Sequence, residues 1–376
     1  MSVEIKEVKT EQEKKDFIMF PFELYKNDPL WVPPLISEMK RIVNGPGSLL
    51  FQSGPHTFFN AYENGKIIGR IAVGIDEKMN KIRNKTEGYV TLFESINNKE
   101  VAFSLLDTAQ NWLRERKMTK MIGPVSPTNG DDYRGMLVEN FEDPPVIYTT
   151  YNPPYYVDFF KDYGFVPEHT FVAFKYDLKK LPLDDSIKVI EYAKKKYNFY
   201  TRKADYSKVV EEAKILQKIL ERSLIPLEYD YLLPPTEEEM ISLAKDLVKF
   251  IPAEFVQIAF SEETPIGFAV AMPDYNQVLK RLNGRLFPLG WLKFLWYKNK
   301  INRARVFLLF VVPEFQSKGV PAALFIELLR YARDKGYVFA EGSTININNN
   351  KMCREAEGVG GVLYKKFVIF KKEIIN

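Results

Sequence analysis

The stretch Val306-Phe-Leu-Leu-Phe-Val-Val-Pro-Glu-Phe-Gln316-Ser-Lys-Gly319-Val-Pro-Ala-Ala-Leu-Phe-Ile-Glu-Leu-Leu-Arg-Tyr-Ala-Arg-Asp-Lys-Gly336 decides how the chain is read. An apolar run with the character of a strand ends at Pro313, and a short polar loop carries Gln316 and Gly319. A helix follows, with Leu324, Leu328, Leu329 and Ala332 at helical spacing. A glycine-bearing loop that opens a helix turns unpaired backbone N–H groups toward one place, and the helix dipole favours negative charge there. The joint is therefore suited to an anion such as a pyrophosphate. Pro321 removes one N–H from that set, although proline suits the first turn of a helix.

Working outward, the same order of elements occurs twice. The apolar hairpin 56–73 (His56-Thr-Phe-Phe-Asn-Ala-Tyr-Glu-Asn-Gly-Lys-Ile-Ile-Gly-Arg-Ile-Ala-Val) has a counterpart at 254–271 (Glu254-Phe-Val-Gln-Ile-Ala-Phe-Ser-Glu-Glu-Thr-Pro-Ile-Gly-Phe-Ala-Val-Ala). Each has a polar turn and an Ile-Gly in its second half. Each half then offers a strand (88–94; 305–312), a helix (101–116; 320–335) and a further strand (118–125; 338–344). The halves close on strands expected at 171–178 and 364–371, and 179–186, rich in charge and short polar residues, is the expected hinge.

These residues resemble the acyl-CoA-binding core of the GNAT acetyltransferases. The family's loop is Gln or Arg, two residues, Gly, one residue, then Gly or Ala; Gln316, Gly319 and Ala322 fit, and Pro321 departs from it. In the first half, Asn152-Pro-Pro-Tyr-Tyr-Val-Asp-Phe-Phe-Lys-Asp-Tyr-Gly164-Phe165 is similar to the family's closing Asn and Tyr-x-x-x-Gly-Phe signature. The opening 21–34 (Pro21-Phe-Glu-Leu-Tyr-Lys-Asn-Asp-Pro-Leu-Trp-Val-Pro-Pro) resembles a group of bacterial tandem GNAT proteins. The resemblance implies an α/β (α+β) chain of two tandem GNAT-like domains, 1–180 and 187–376, each a mixed, mostly antiparallel sheet flanked by helices. The length of 376 residues and the 46% hydrophobic content suit two cores.

Composition removes several chemistries. A single cysteine, Cys353, excludes an intramolecular disulfide and a thiolate metal cluster, and the two histidines, His56 and His169, make imidazole-based metal or nucleophilic catalysis a poor expectation. No metal is expected. A net charge of +4 gives no reason to expect nucleic acid or charged tRNA as partner. With no apolar run long enough to span a bilayer, no N-terminal signal sequence and no disulfides, a cytoplasmic location is expected. The segment 289–305 gathers Trp291, Leu292, Phe294, Leu295 and Trp296 beside several cations. It is read first as a helix packed on its own domain; as a functional element it is read as a lid over the acyl donor, with lining of an acyl chain, a membrane surface or a subunit contact as alternatives.

The resemblance also assigns roles. Acetyl-CoA or another acyl-CoA is expected on Phe310, Val311, Val312, Gln316, Ser317, Lys318, Gly319, Val320, Pro321, Ala322 and Asn349, with a backbone N–H near 310–312 facing the developing oxyanion. The family's acid, a Tyr shortly before the closing glycine, is missing: Phe160 stands there in the first half, and Ala356 or Glu357 in the second. Tyr364 is the substitute candidate and Glu341 the candidate base. The first half has Ser95-Ile-Asn-Asn-Lys-Glu100 where the phosphate loop belongs, so it is expected to shape the acceptor site through Asp131, Asp132, Tyr133, Arg134, Tyr151, Asn152 and Tyr155. The resulting expectation is an acyl-CoA-dependent N-acyltransferase acting on a small-molecule or peptide amine. A silent CoA-binding or sensor protein and a Fem-like aminoacyltransferase are the alternatives.

Overall fold

Strands and helices form where the apolar period switches between two and 3.6 residues. The computed structural model of the chain describes residues 3–128, 130, 132–224 and 234–374. The strands are β1 (Glu4–Glu7), β2 (His56–Glu63), β3 (Lys66–Gly74), β4 (Glu87–Ser95), β5 (Lys120–Gly123), β6 (Met136–Glu139) and β7 (Val166–Asp177). They continue as β8 (Tyr200–Lys203), β9 (Val256–Ser261), β10 (Thr264–Pro273), β11 (Arg303–Val311), β12 (Phe339–Asn346) and β13 (Val362–Glu373). The helices are α1 (Glu11–Leu24), α2 (Ile36–Val43), α3 (Leu49–Gln52), α4 (Glu77–Arg83), α5 (Lys99–Glu115), α6 (Tyr155–Asp162) and α7 (Leu183–Tyr197). After them come α8 (Val209–Leu224), α9 (Glu237–Leu247), α10 (Asn276–Leu282), α11 (Gly290–Lys298), α12 (Val320–Asp334) and α13 (Asn350–Gly358).

Two compact units result. Unit 1 draws on the described residues of 1–170, 276–299 and 365–376, and unit 2 on those of 171–275 and 300–364. In unit 1 the sheet runs β1-β2-β3-β4-β5-β13, with β6 also on β13; in unit 2 it runs β7-β12-β11-β10-β9-β8. Among the described residues, β4 pairs with β5 and β11 with β12 in parallel. The expected division at 1–180 and 187–376 is linear, whereas these units interleave, because each sheet is closed by a strand from the other half of the sequence. In unit 2, β7 lies antiparallel to β12, pairing Glu341 with Lys175. In unit 1, β13 lies antiparallel to β5, pairing Phe370 with Gly123.

The helix after the parallel strand covers each sheet. Helix α5 buries Val101, Ala102, Leu105, Leu106, Ala109 and Leu113. Helix α12 buries Leu324, Leu328, Leu329 and Ala332, the spacing expected. Full burial of each such leucine contributes about 1.5–3 kcal/mol. The shared Ile-Gly has a packing reason: a Cβ on Gly69 would stand 2.8 Å from Leu105 Cδ1, and one on Gly267 would stand 2.9 Å from Val311 Cγ2 and 3.3 Å from Leu324 Cδ1. A side chain at either position would press on these packed neighbours.

Candidate active site

In unit 2, β11 pairs with β12 only from Arg303 opposite Phe339 to Val306 opposite Gly342. Beyond that point β11 keeps its other neighbour, β10, through Gly267 opposite Val311, with Phe307 as the extra residue of a bulge. The Val312 N–H donates to Ile266 O at 2.9 Å. By the alternation of an antiparallel ladder, Leu309 and Val311 then turn their backbone groups to the side that β12 has left. Val311 O on that side accepts from Gln316 Nε2 at 3.1 Å, and Gln316 Oε1 accepts from Lys351 Nζ at 3.4 Å. Gln316 thus ties the loop to the strand end. Of 310–312, Val311 presents its N–H to the open side and Val312 does not.

Gly319 is the N-cap of α12 at φ +76°, a left-handed conformation that costs a side chain free energy. A Cβ there would also meet Ala193 Cβ at 3.1 Å. No side chain caps α12, and its first turn holds no acid. Val320 and Pro321 are buried, Ala322 and Lys318 are half-buried, and Ser317 is exposed. Lys318 N–H is taken by Phe315 O at 3.1 Å. Asn349 instead caps α13, accepting from Met352 N at 3.0 Å.

Glu341 is fully buried on β12, opposite Arg305 on β11 and next to the last pair before the strands part. Its Oε1 accepts from Ser343 Oγ at 2.8 Å, while Oε2 has no hydrogen-bond partner. Arg305, 1% exposed, donates from Nε to Ser343 Oγ at 3.0 Å and from Nη2 to Ser343 O at 3.1 Å. A buried carboxylate oxygen without a donor is costly, and such groups concentrate at functional sites. Gly342 faces α12, where a Cβ would meet the Phe325 ring at 3.4 Å, so Glu341 and Arg305 occupy the opposite face of the sheet. Tyr364 is buried against Phe339 at 6.0 Å between ring centroids, and Lys175, the cross-strand partner of Glu341, lies over its ring at 5.1 Å. Sequence reasoning found Glu341 but missed Arg305 and Ser343. The available signal was a second arginine, at 305, inside an otherwise apolar strand.

Residues 221–356 match the sequence model of the Acetyltransferase (GNAT) family. Unit 2 is built on a GNAT domain. Across the whole chain the fold is that of tandem GNAT proteins: a solved tandem GNAT protein from the clavulanic acid biosynthesis pathway superimposes with a TM-score of 0.59 at 11% identity, covering 100% of this chain and 99% of that one. The chain is also similar to Protein YghO of Escherichia coli (strain K12), at 29% identity over 96% of this chain and 93% of the relative. It is 27% identical to a bacterial ceramide synthase of Caulobacter vibrioides over 98% of this chain and 96% of that protein.

Unit 1 has an equivalent register position on its own sheet. Register equates Gly69 opposite Ser95 with Gly267 opposite Val311, and Ile96 N donates to Ile68 O at 3.1 Å as Val312 N does to Ile266 O. Here the open side is occupied. Ser95 N donates to Tyr156 Oη at 2.7 Å, and Ser95 O accepts from Tyr155 at 3.0 Å and Tyr156 at 3.2 Å. Glu94 Oε2 accepts from Tyr25 at 2.5 Å and Tyr156 at 2.8 Å, and Arg70 lies 3.8 Å from Oε1. Burial raises the Glu94 carboxyl above its ordinary pKa despite Arg70 and the two phenols, and lifts both phenols well above theirs. The start of α5 is closed too: Asn98 caps it, accepting from Glu100 N at 2.9 Å, and Glu100 puts an acid in its first turn.

The acceptor candidates of unit 1 are spread over local structure. Tyr151 donates to Asp28 at 2.5 Å, and Tyr155 belongs to the Ser95 cluster. Asn152 commits its side chain to the backbone, accepting from Leu137 N at 2.8 Å and donating to Leu137 O at 3.2 Å. Asp132 accepts from Ser126 at 3.1 Å and from Thr128, and Arg134, buried, donates to Gly130 O at 3.1 Å. Tyr133, partly exposed, meets Tyr148 edge-on at 6.0 Å. Asp131 lies outside the described residues. His56 stacks on Phe51 at 4.8 Å. Among the described residues no group of three or more His, Cys, Asp and Glu could hold a metal ion.

Proposed function

We propose that the protein is an acyl-CoA-dependent N-acyltransferase whose acyl-CoA lies in unit 2. The observation that carries this reading is the conjunction of an uncapped, acid-free start of α12 at Gly319 with a β11 edge that β12 leaves at Val306. The pyrophosphate would sit at the α12 start, and the pantetheine arm would pair with the freed edge of β11. The acceptor nitrogen attacks the thioester carbonyl, the Val311 N–H meets the developing oxyanion, and the C–S bond breaks. Glu341 Oε2 takes the ammonium proton, and Tyr364 returns one to the thiolate.

The relative named as a ceramide synthase bears on the acceptor and the acyl group, since a ceramide is by its chemistry a fatty amide of a long-chain amino alcohol. It favours a long acyl chain and an amphipathic amine over acetyl transfer to a small polar one. A silent acyl-CoA-binding protein is the second reading, favoured by Pro321 in the loop and by Ala356 or Glu357 where the family has its tyrosine.

Calorimetry with CoA and acyl-CoAs of rising chain length tests the site. Wild type is expected to bind, with Gly319→Glu losing at least about a hundredfold in affinity, or about 2.7 kcal/mol. Absence of binding by folded wild type to every CoA ester would refute the proposal. Binding without transfer to any long-chain amine would leave the silent reading.

A further inference from the structure

The excursion between β10 and β11 belongs to unit 1, and its two helices behave in opposite ways. Helix α10 is anchored, with Val278 and Leu282 buried and Asn276 Nδ2 donating to Pro145 O at 3.1 Å. Helix α11 buries no residue. The turn before it exposes Phe287 by 73% and Leu289 by 65%, and the helix exposes Trp291, Leu292, Leu295 and Trp296, the last by 66%. The aromatic face of this segment is therefore exposed in this structure.

At 3.6 residues per turn, Trp291, Leu292, Leu295 and Trp296 share an arc of about 140°. Lys293 and Lys298 flank that arc, one on each side, and the half-buried Phe294 and Tyr297 lie on the opposite face. Arg281 holds α11 to α10 by stacking over the Tyr297 ring at 4.4 Å. From 275 to 313 the chain carries no Asp or Glu, and Lys280, Arg281, Arg285, Lys293, Lys298 and Lys300 are all exposed. At the foot of the excursion, a cleft of about 250 Å³ is lined by Met19, Phe22, Ile36, Leu282, Asn283 and Arg285.

We infer that α11 and the turn before it form a membrane-docking surface that lays Phe287, Leu289 and the Trp291–Trp296 face into the interface of an anionic bilayer. Charge selects the occupant: an apolar strip with tryptophans at both ends, rimmed by cations and free of acids, complements a lipid surface of negative headgroups. A helix of nine residues cannot cross a bilayer and lies on it instead. Surface docking also places the enzyme where amphipathic acceptors concentrate, but the inference does not depend on the acyl-transfer reading.

Vesicle flotation of the full chain tests it. Wild type is expected to float with phosphatidylcholine vesicles containing about 30% phosphatidylglycerol, and much less with phosphatidylcholine alone. Trp291→Ser/Trp296→Ser is expected to lower the bound fraction about tenfold, and Lys293→Glu/Lys298→Glu to abolish the preference for anionic vesicles. Because these side chains are exposed, both variants should keep the wild-type thermal midpoint and CoA affinity, which separates this test from that of the acyl-CoA site. Failure of wild type to float, or equal flotation by the tryptophan variant, overturns the inference. So does a wild-type dimer that the tryptophan variant dissolves in the absence of lipid.

Discussion

Ser95 in unit 1 and Val311 in unit 2 occupy the same register position, opposite the glycine of an Ile-Gly, on strands that part from their parallel neighbours. One has been closed and the other left open. At Ser95 the backbone N–H is satisfied by Tyr156, the flanking pair is the buried Arg70 and the half-buried Glu94, and the following helix is capped by Asn98. At Val311 the flanking pair is Phe268 and Phe310, 5.6 Å apart, and the following helix starts uncapped at Gly319. A buried N–H left without a partner costs roughly 1–3 kcal/mol. In unit 1 a tyrosine meets the Ser95 N–H, whereas in unit 2 Gln316 takes the Val311 O.

The difference can be broken first at the chemistry. Glu341→Gln is expected to lower acyl transfer by about 10²–10⁴-fold while acyl-CoA affinity stays within about twofold. Equal losses in both would make Glu341 a structural residue of the Arg305–Ser343 cluster. Next in size is the plug: Tyr156→Phe removes the hydroxyl shared by Ser95 and Glu94, and urea denaturation should show about 2 kcal/mol of lost stability with CoA affinity unchanged. An unchanged urea midpoint would mean that water satisfies Ser95 and that no plug is needed.

A smaller effect comes from giving unit 2 the character of unit 1. Ala322→Glu places an acid in the first turn of α12, as Glu100 does in α5, and isothermal titration should read a loss of about tenfold in CoA affinity. The smallest concerns pH. Glu94 titrates above its ordinary value of 4.5, so between that value and its native one the folded state holds a proton that the unfolded state has lost. Stability therefore falls as pH rises through that window and stays lower above it. Glu94→Gln should remove this component of the slope in urea midpoints measured from pH 4.5 upward, and an unaltered slope would assign it to other groups.

Much of the candidate site was legible because it is local. Gln316, Gly319 and Pro321 lie within one loop, and the conformational demand on Gly319 follows from the strand-to-helix turn itself. Glu341 could be named because a carboxylate in an apolar strand is conspicuous. Arg305, Arg70 and Glu94 carried the same signal, but their meaning depends on partners far away in sequence, such as Tyr156 for Glu94 and Ser343 for Arg305. Asn349 and Asn152 suited ligand contacts by residue type, yet both use their side chains on nearby backbone.

The order of the elements, the repeat, the hairpins with their Ile-Gly, and the helix start at Gly319 are readable from the residues alone. All of these follow from periodicity and backbone preference within a few residues. Long-range contacts set that β7 closes the sheet of unit 2 and β13 that of unit 1, where β11 leaves β12, and that Tyr156 fills the equivalent gap. The reason is that ladder hydrogen bonds are made by backbone groups every strand carries. The choice among edges therefore rests on long-range packing, which a local pattern does not encode.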